Sequence, residues 1–305
     1  MWLLHPGRSR RSPLRWSLAI ALSLAVLFSG ALAVASPRAA HADAGGQRNE
    51  HAQMDYLALG DSVAFGYSPF FDHSDASNYI GYPTPVANAL DLRLTNAACP
   101  GATSGYLVSL SLPDWECIPY RAAYPLHVNY DTSQLDFAVA YLRAHPRTRL
   151  VTIDIGANDL FRLQYLCGGD PTCIQRNLPA TLATVAANLN TIYGDIRHEA
   201  HYHGQLVALT YYSPNYRDAL TTGALIGLNQ VVAERTAAWG GAVADGFDAF
   251  ENIAAAYNGD SCAAGLLIRT GPTTCNIHPS VMGRDVLAQA ILAVVKHNAD
   301  RSVAA

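Results

Sequence analysis

Tyr56-Leu57-Ala58-Leu59-Gly60-Asp61-Ser62-Val63-Ala64-Phe65-Gly66 decides how this chain is read. The apolar run Tyr56 to Leu59 has the continuity of a buried strand. Gly60-Asp61-Ser62 is a turn signal, and the residues after it suit the opening of a helix. A serine at that junction stands exposed at the carboxyl end of the strand, where open α/β sheets place their ligands. Backbone N–H groups at such a turn are able to face an oxyanion. The plainer alternative is a Gly-Asp-Ser turn with Asp61 or Ser62 as an N-cap.

Outward from this stretch, strand and helix patterns alternate. Ala76 to Leu92 has helical spacing, with Pro83 and Pro85 tolerated only in its first turn. Arg93 to Ala97 is a short strand, and Ser104 to Tyr130 is loop-rich, with Pro113, Pro119 and Pro125. Thr132 to Ala144 is a helix and Leu150 to Ile155 a strong buried strand. Leu178 to Arg197 is a helix carrying Leu182, Val185, Leu189 and Ile192 on one face. Gln205 to Tyr211 is a strand, Gly223 to Trp239 a helix, Ala242 to Asp245 a short strand and Met282 to His297 a closing helix. This βα alternation predicts a parallel sheet with helices on both faces. Right-handed crossovers then bring all strand carboxyl ends to one rim.

The chain has 305 residues, a formal net charge of -4 and 50% hydrophobic residues. That charge is too mild to point to nucleic acid or an anionic surface as a partner. Arg8, Arg10, Arg11 and Arg15 precede an apolar, small-residue stretch from Ser17 to Ala35. Ala33-Val34-Ala35 and Ala40-His41-Ala42 are candidate cleavage sites. This is the pattern of an export signal, and Ser9 to Arg15 is similar to a twin-arginine signal. The alternative is a retained membrane anchor, since the stretch is long enough to span. We expect a signal and cleavage region over 1–42, a linker over 43–53 and one folded domain over 54–298. The six cysteines lie beyond the leader. An even count in an exported chain implies disulfides, with fifteen pairings open in principle. Sequence order suggests the local set Cys99–Cys117, Cys167–Cys173 and Cys262–Cys275. No C-x-x-C pair points to zinc.

Three more stretches stand beside Ser62. Asn96-Ala97-Ala98-Cys99-Pro100-Gly101-Ala102-Thr103-Ser104 follows the second strand, and Gly101 has no side chain to keep a ligand from its N–H. The alternative is an ordinary turn glycine. Ile153-Asp154-Ile155-Gly156-Ala157-Asn158-Asp159 leaves the strongest strand. Asn158 is placed there to donate from its amide, or else Asn158 or Asp159 caps a helix. Cys275-Asn276-Ile277-His278-Pro279 precedes the last helix, and His278 reads as a general base or as a loop histidine among the chain's eleven.

In this order, G-D-S, the glycine of A-C-P-G-A-T-S, G-A-N-D and H-P resemble the blocks of the SGNH/GDSL hydrolases. The resemblance covers essentially all of residues 54–298. The cysteine layout and the Ala98 to Ser104 stretch look most like the secreted lipases and esterases of actinobacteria. The resemblance implies a flavodoxin-like three-layer α/β/α fold with a central parallel sheet. It implies Ser62 as nucleophile and His278 as base. It further implies an oxyanion hole of the Ser62 N–H, the Gly101 N–H and the Asn158 side chain. A serine hydroxyl needs such a base to become a nucleophile, and neither step needs a metal or cofactor.

The sequence departs from the family at one point. Many members carry an Asp three residues before the His, and here Cys275 stands there. That Asp fixes the tautomer and stabilises imidazolium. Some relatives of the secreted type use a main-chain carbonyl, so we expect one near Cys275-Asn276, with the Asn276 side chain as the second candidate. Tyr211, Tyr212 and Tyr216 are candidate acyl-pocket walls, and Trp115 and Tyr120 candidate walls of the cleft. The expected function is a secreted, monomeric serine esterase or lipase acting on a small-molecule or lipid ester. No nucleic acid is expected, and no stable membrane partner once the leader is gone. The alternatives are a carbohydrate acetyl esterase and a non-catalytic cell-surface binding protein.

Overall fold

The computed structural model describes residues 53–303, with side chains as far as Val295. The expected leader, and the expected linker up to residue 52, lie outside the described residues. In chain order the elements are β1 (Asp55–Gly60), α1 (Ser62–Phe65), α2 (Pro83–Leu90), β2 (Arg93–Asn96), α3 (Ser104–Val108) and α4 (Cys117–Ala123). Then come α5 (Gln134–Ala144), β3 (Thr148–Asp154), α6 (Ala157–Leu166), α7 (Pro171–Gly194), β4 (Gln205–Leu209) and α8 (Ala219–Ala238). The chain closes with β5 (Ala242–Ala244), α9 (Gly246–Ala254), β6 (Leu267–Arg269), β7 (Cys275–Pro279) and α10 (Val281–Val303).

β1 to β5 form one parallel sheet in the order β2-β1-β3-β4-β5. Helices cover it, and the expected three-layer α/β/α architecture is observed. Every residue of β1 and all but one of β3 are buried, as a parallel sheet covered on both faces requires. The chain leaves β1 for β2 on one side and returns across β1 to β3 on the other. The crevice between the ends of β1 and β3 is therefore the topological switch point, where such sheets bind ligands. Ser62 follows β1 and Asn158 follows β3, so the two sequence blocks meet there.

Some boundaries differ from expectation for local reasons. The helix expected from Ala76 begins at Pro83, which takes the first helical position, where its missing N–H costs nothing. A separate short turn, capped by Asp75, occupies Ala76–Asn78. The loop-rich stretch after Ser104 contains α3, capped by the Thr103 hydroxyl, and α4, pinned by Cys117. α7 starts at Pro171 under an Asp170 cap and continues through Pro179, although an interior proline costs a helix about 3 kcal/mol. α6 and α9 were not expected. His278 is not in a loop. It lies on β7, which pairs antiparallel with β6 through Arg269 with Cys275 and Leu267 with Pro279. Ile268 alone on β6 faces Asn276, Ile277 and His278 on β7, and such a bulge re-aims side chains.

All three expected disulfides are formed: Cys99–Cys117, Cys167–Cys173 and Cys262–Cys275. The third joins β7 to the segment before β6. Among the described residues, no helix is long and apolar enough to cross a membrane.

Candidate active site

The end of β1 is held by a side chain that mimics a strand. Gln134 of α5 accepts from the Gly60 N–H at 2.6 Å and donates to the Gly60 carbonyl at 3.0 Å. Gly60 has φ +138°, and a Cβ there would lie 2.4 Å from the Asp154 carbonyl oxygen. Only glycine lets the chain turn this close to β3. Asp61 then caps α1 through its Oδ1, which accepts from the Val63 N–H at 3.0 Å. Both readings of the turn hold at once, since Asp61 is a cap and Ser62 opens onto the crevice.

Ser62 Oγ lies 2.8 Å from His278 Nε2. The other ring nitrogen meets the side chain of Asn276. The His278 backbone N–H donates to that same Asn276 atom at 3.1 Å, which identifies the atom as the carbonyl oxygen Oδ1. The ring Nδ1 therefore carries the proton and donates to Oδ1. That leaves the Nε2 lone pair facing the Ser62 hydroxyl. The expectation of a main-chain carbonyl near Cys275-Asn276 is thus corrected, and the second candidate takes its place. The physical reason is local: an Asn side chain that bonds the N–H two residues on forms an Asx turn. This turn points Oδ1 at the ring of the residue whose N–H it accepts. The Cys262–Cys275 bridge anchors the residue before it.

His278 keeps an edge open to the site, yet burial takes most of its water away and lowers the imidazole to about 4. It is neutral, and competent as a base, across the neutral range.

The backbone N–H groups of Ser62 and Gly101 have no acceptor among the described residues. Gly101 adopts φ +81°, and a Cβ there would strike Glu116 at 2.5 Å. Its loop is drawn to the site by two bonds. The Cys99 N–H donates to the Gly60 carbonyl at 3.1 Å, and Asn158 Nδ2 donates to the Ala102 carbonyl at 3.0 Å. Asn158 Nδ2 also donates to Asp61 Oδ2 at 3.1 Å. Both amide protons are thus engaged, and Asn158 ties together the loops that carry Ser62 and Gly101. Of these acceptors, Asp61 is the better supplied, since Tyr211 also donates to its Oδ2, at 2.6 Å.

Sequence reasoning missed the layer behind these residues. Asp154 Oδ1 accepts from the Tyr82 hydroxyl at 2.9 Å and its Oδ2 from the Ala64 N–H at 3.3 Å. Burial raises both Asp61 and Asp154, and the Asp61 charge adds to the rise at Asp154. Two buried carboxyls without a cation do not both ionise cheaply. Asp159 is not the N-cap of its own helix α6, where Gly156 stands. It accepts from the N–H and hydroxyl of Ser104 at 2.8 Å each, anchoring α3, and burial raises it to about 6. Among the described residues, no group of three His, Cys, Asp or Glu side chains is placed to hold a metal ion.

Ser62, Asn158 and His278 border an apolar pocket of about 120 Å³. Its walls come from α6 (Leu160, Phe161), the start of α7 (Ile174, Leu178) and the start of α8 (Leu220, Ala224). Tyr211 and Tyr212 also line it, as expected. Tyr212 is fixed by its hydroxyl on the Ile277 carbonyl at 2.7 Å and by stacking on Phe250. Tyr216 instead packs on Phe247. Trp115 and Tyr120 are not in this pocket. Trp115 packs edge-on against Tyr165, and Tyr120 is buried against Phe65 and Tyr67.

Among curated proteins, none matches the sequence significantly. Solved structures with the same fold include an extracellular lipase from Streptomyces rimosus, 23% identical over 79% of this chain and 99% of that one, with a TM-score of 0.52. Phospholipase A1 from Streptomyces albidoflavus NA297 is 20% identical over 80% of this chain and 100% of that one, with a TM-score of 0.53. At these identities the likeness speaks to the fold. The model of the GDSL-like lipase/acylhydrolase family matches residues 58–286, which span the four blocks that meet at this site. The chain therefore belongs to that family of carboxylic ester hydrolases.

Proposed function

We propose that the chain is a secreted serine esterase or lipase that cleaves carboxylic esters through an acyl-enzyme on Ser62. The observation that carries this reading is the 2.8 Å contact between Ser62 Oγ and His278 Nε2 at the mouth of an apolar pocket. His278 takes the Ser62 proton as Oγ bonds to the ester carbon, and Asn276 Oδ1 holds the imidazolium that results. The oxyanion is met by the Ser62 and Gly101 N–H groups, with Asn158 Nδ2 turning from Asp61 as the third donor. Each such preorganised donor is worth about 10²–10³ in rate. His278 returns the proton to the leaving alcohol, and water then repeats the sequence to release the acid. The pocket beside Ser62 takes the acyl chain, since its walls are mostly aliphatic and aromatic and carry no Lys or Arg.

Three disulfides support an oxidising compartment, in keeping with a cleaved leader over 1–42. The binding-protein reading drew only on the missing Asp, and Asn276 fills that role. The acetyl esterase reading remains as an outcome of the test. The test is hydrolysis of p-nitrophenyl esters from acetate to palmitate, with Ser62→Ala as control. A medium- or long-chain optimum that vanishes in the control is expected. An optimum at acetate would favour the sugar-ester alternative, and activity surviving in Ser62→Ala would overturn the mechanism.

A further inference from the structure

The acyl pocket runs along α6, and that helix ends at a disulfide for which the proposed reaction has no use. At the catalytic end, Asn158 lines the pocket beside Ser62. Leu160, Phe161, Leu163 and Gln164 follow on the same helix. At 1.5 Å per residue, Gln164 lies about 9 Å along the axis from Asn158. The wall supplied by α7 begins at Ile174. Cys167 stands within one turn beyond Gln164, and Cys173 directly precedes Ile174. The Cys167–Cys173 bridge therefore joins the two walls at the end of the pocket away from Ser62. Its closed loop is also the shortest of the three, with a sequence separation of 6 against 13 and 18. Short loops gain least from cross-linking, so stabilising the fold is the weakest reason for this bridge.

The two ends of α6 are held differently. Its buried residues are Asn158 and Leu163, so it rests on a cavity more than on a core. The amino end is fastened by side chains: Asn158 donates to the Ala102 carbonyl and to Asp61, and Asp159 accepts from Ser104. The hydrogen bonds after its carboxyl end stay within the corner. The Gly168 N–H donates to the Tyr165 carbonyl at 2.9 Å and the Gly169 N–H to the Gln164 carbonyl at 3.0 Å. Asp170 Oδ1 accepts from the Thr172 and Cys173 N–H groups. This corner stands out from the body of the protein. Tyr165 and Leu166 are 70% and 62% exposed, and a Cβ on Gly168 or Gly169 would meet no atom within 4 Å. A segment with so few buried apolar contacts opens easily, and the bridge is what ties it to α7. We propose that Cys167–Cys173 is the chain-length stop of the acyl pocket. It holds Gln164 and Ile174 together at the pocket's end, and an acyl chain that outgrows the pocket has to push α6 away from α7. Packed side chains yield to that push, and a covalent link does not. This inference rests on the serine-hydrolase reading above.

The test compares kcat/KM on p-nitrophenyl laurate with kcat/KM on p-nitrophenyl butyrate, both kept below the concentration at which they aggregate. In Cys167→Ser with Cys173→Ser the laurate-to-butyrate ratio should rise about 15-fold, the worth of two further methylene groups buried in the pocket. Asp170 still caps α7 in this variant, and circular dichroism checks that it folds. Gln164→Trp keeps the bridge and fills the same end of the pocket, so it should lower the ratio. A ratio unchanged in the serine variant overturns the proposal. So does an equal fall on both esters, which would make the bridge a stabilising link only. A ratio unmoved in Gln164→Trp overturns it independently of how the serine variant folds. Ser62-dependent cleavage with an unmoved ratio sinks this inference and leaves the serine mechanism standing, whereas cleavage that survives Ser62→Ala removes both.

Discussion

Replacing Asn276 tests how this site works without the usual carboxylate. Asn276 Oδ1 fixes the His278 tautomer but adds no charge to the imidazolium formed during reaction. In Asn276→Asp a carboxylate of the same shape touches Nδ1, and the His278 backbone N–H still has its acceptor. An opposite charge this close raises an imidazole by about 1–3 units. From a starting value of about 4, the variant's histidine should titrate at about 5–7. The acid limb of kcat/KM reports the base in free enzyme. Measured on p-nitrophenyl butyrate, the parent should stay active towards its low limb. Asn276→Asp should be slower in mild acid and equal or faster in mild alkali. Asn276→Ala removes a hydrogen bond to a group that becomes charged, about 1.5–3 kcal/mol. Its kcat should therefore fall about 10- to 150-fold, with little movement of the limb. A parent-like kcat in Asn276→Ala, or an unmoved limb in Asn276→Asp, would refute the assignment of Asn276 as the group that holds the histidine.

Four other variants probe the site and its support. Gln134→Leu leaves the Gly60 N–H buried and unpaired, so urea unfolding should show a loss of about 1–3 kcal/mol, with kcat reduced as the Ser62 turn loosens. Ala224→Phe narrows the apolar pocket and should shift the p-nitrophenyl ester optimum to shorter chains while acetate hydrolysis persists. Cys262→Ser with Cys275→Ser opens a loop with a sequence separation of 13. Thermal or urea unfolding should report a loss of about 3 kcal/mol, and kcat should fall more than KM changes. His278 is lowered by burial, so the unfolded chain binds its proton first as pH falls. Native stability should decline between the unfolded value near 6.5 and the folded value of about 4. His278→Gln should recover about 2 kcal/mol of that decline, the open ring edge having been discounted. Urea unfolding near the two ends of that range measures it, and an equal acid decline in both proteins would contradict the burial of the imidazole.

The parts legible in the sequence share one property, which is that each is written locally. The run Tyr56 to Leu59 announces a buried strand because strand burial needs only consecutive apolar residues. Ser62, Gly101, Asn158 and His278 were read from short blocks between or near the ends of elements, and the structure places Ser62, Asn158 and His278 around one pocket. The blocks find one another only through the sheet order, which periodicity leaves open. The family resemblance implied that the blocks meet at one site, and the observed pairing of β1 with β3 brings Ser62 and Asn158 to one crevice. Asn276 was half legible. Any Asn is able to accept the N–H two residues on and form an Asx turn, but that its oxygen also meets the His278 ring is seen only in the folded chain. α6 went unread because its sequence, from Ala157 to Leu166, mixes polar and apolar residues around a face that lines a pocket rather than a core.

What stayed hidden is the layer that positions those blocks, and distance along the chain explains why. Gln134 reaches Gly60 across 74 residues, Asp154 reaches Ala64 across 90, and Tyr211 reaches Asp61 across 150. None of the three has a local pattern that distinguishes it from a surface Gln, a strand-end Asp or a packed Tyr. Their roles follow from register. Because Gly60 pairs with Asp154 at the ends of β1 and β3, the side chains one or two residues beyond must share one small, dry space. Any polar group placed there must find a partner. Asp61 answers by accepting three hydrogen bonds, from Val63, Tyr211 and Asn158. Its burial is therefore a consequence of where Ser62 must stand. A serine presented at the switch point puts the residue before it under the sheet end, and a carboxylate is the side chain with enough acceptors to hold both the Ser62 turn and the Asn158 amide.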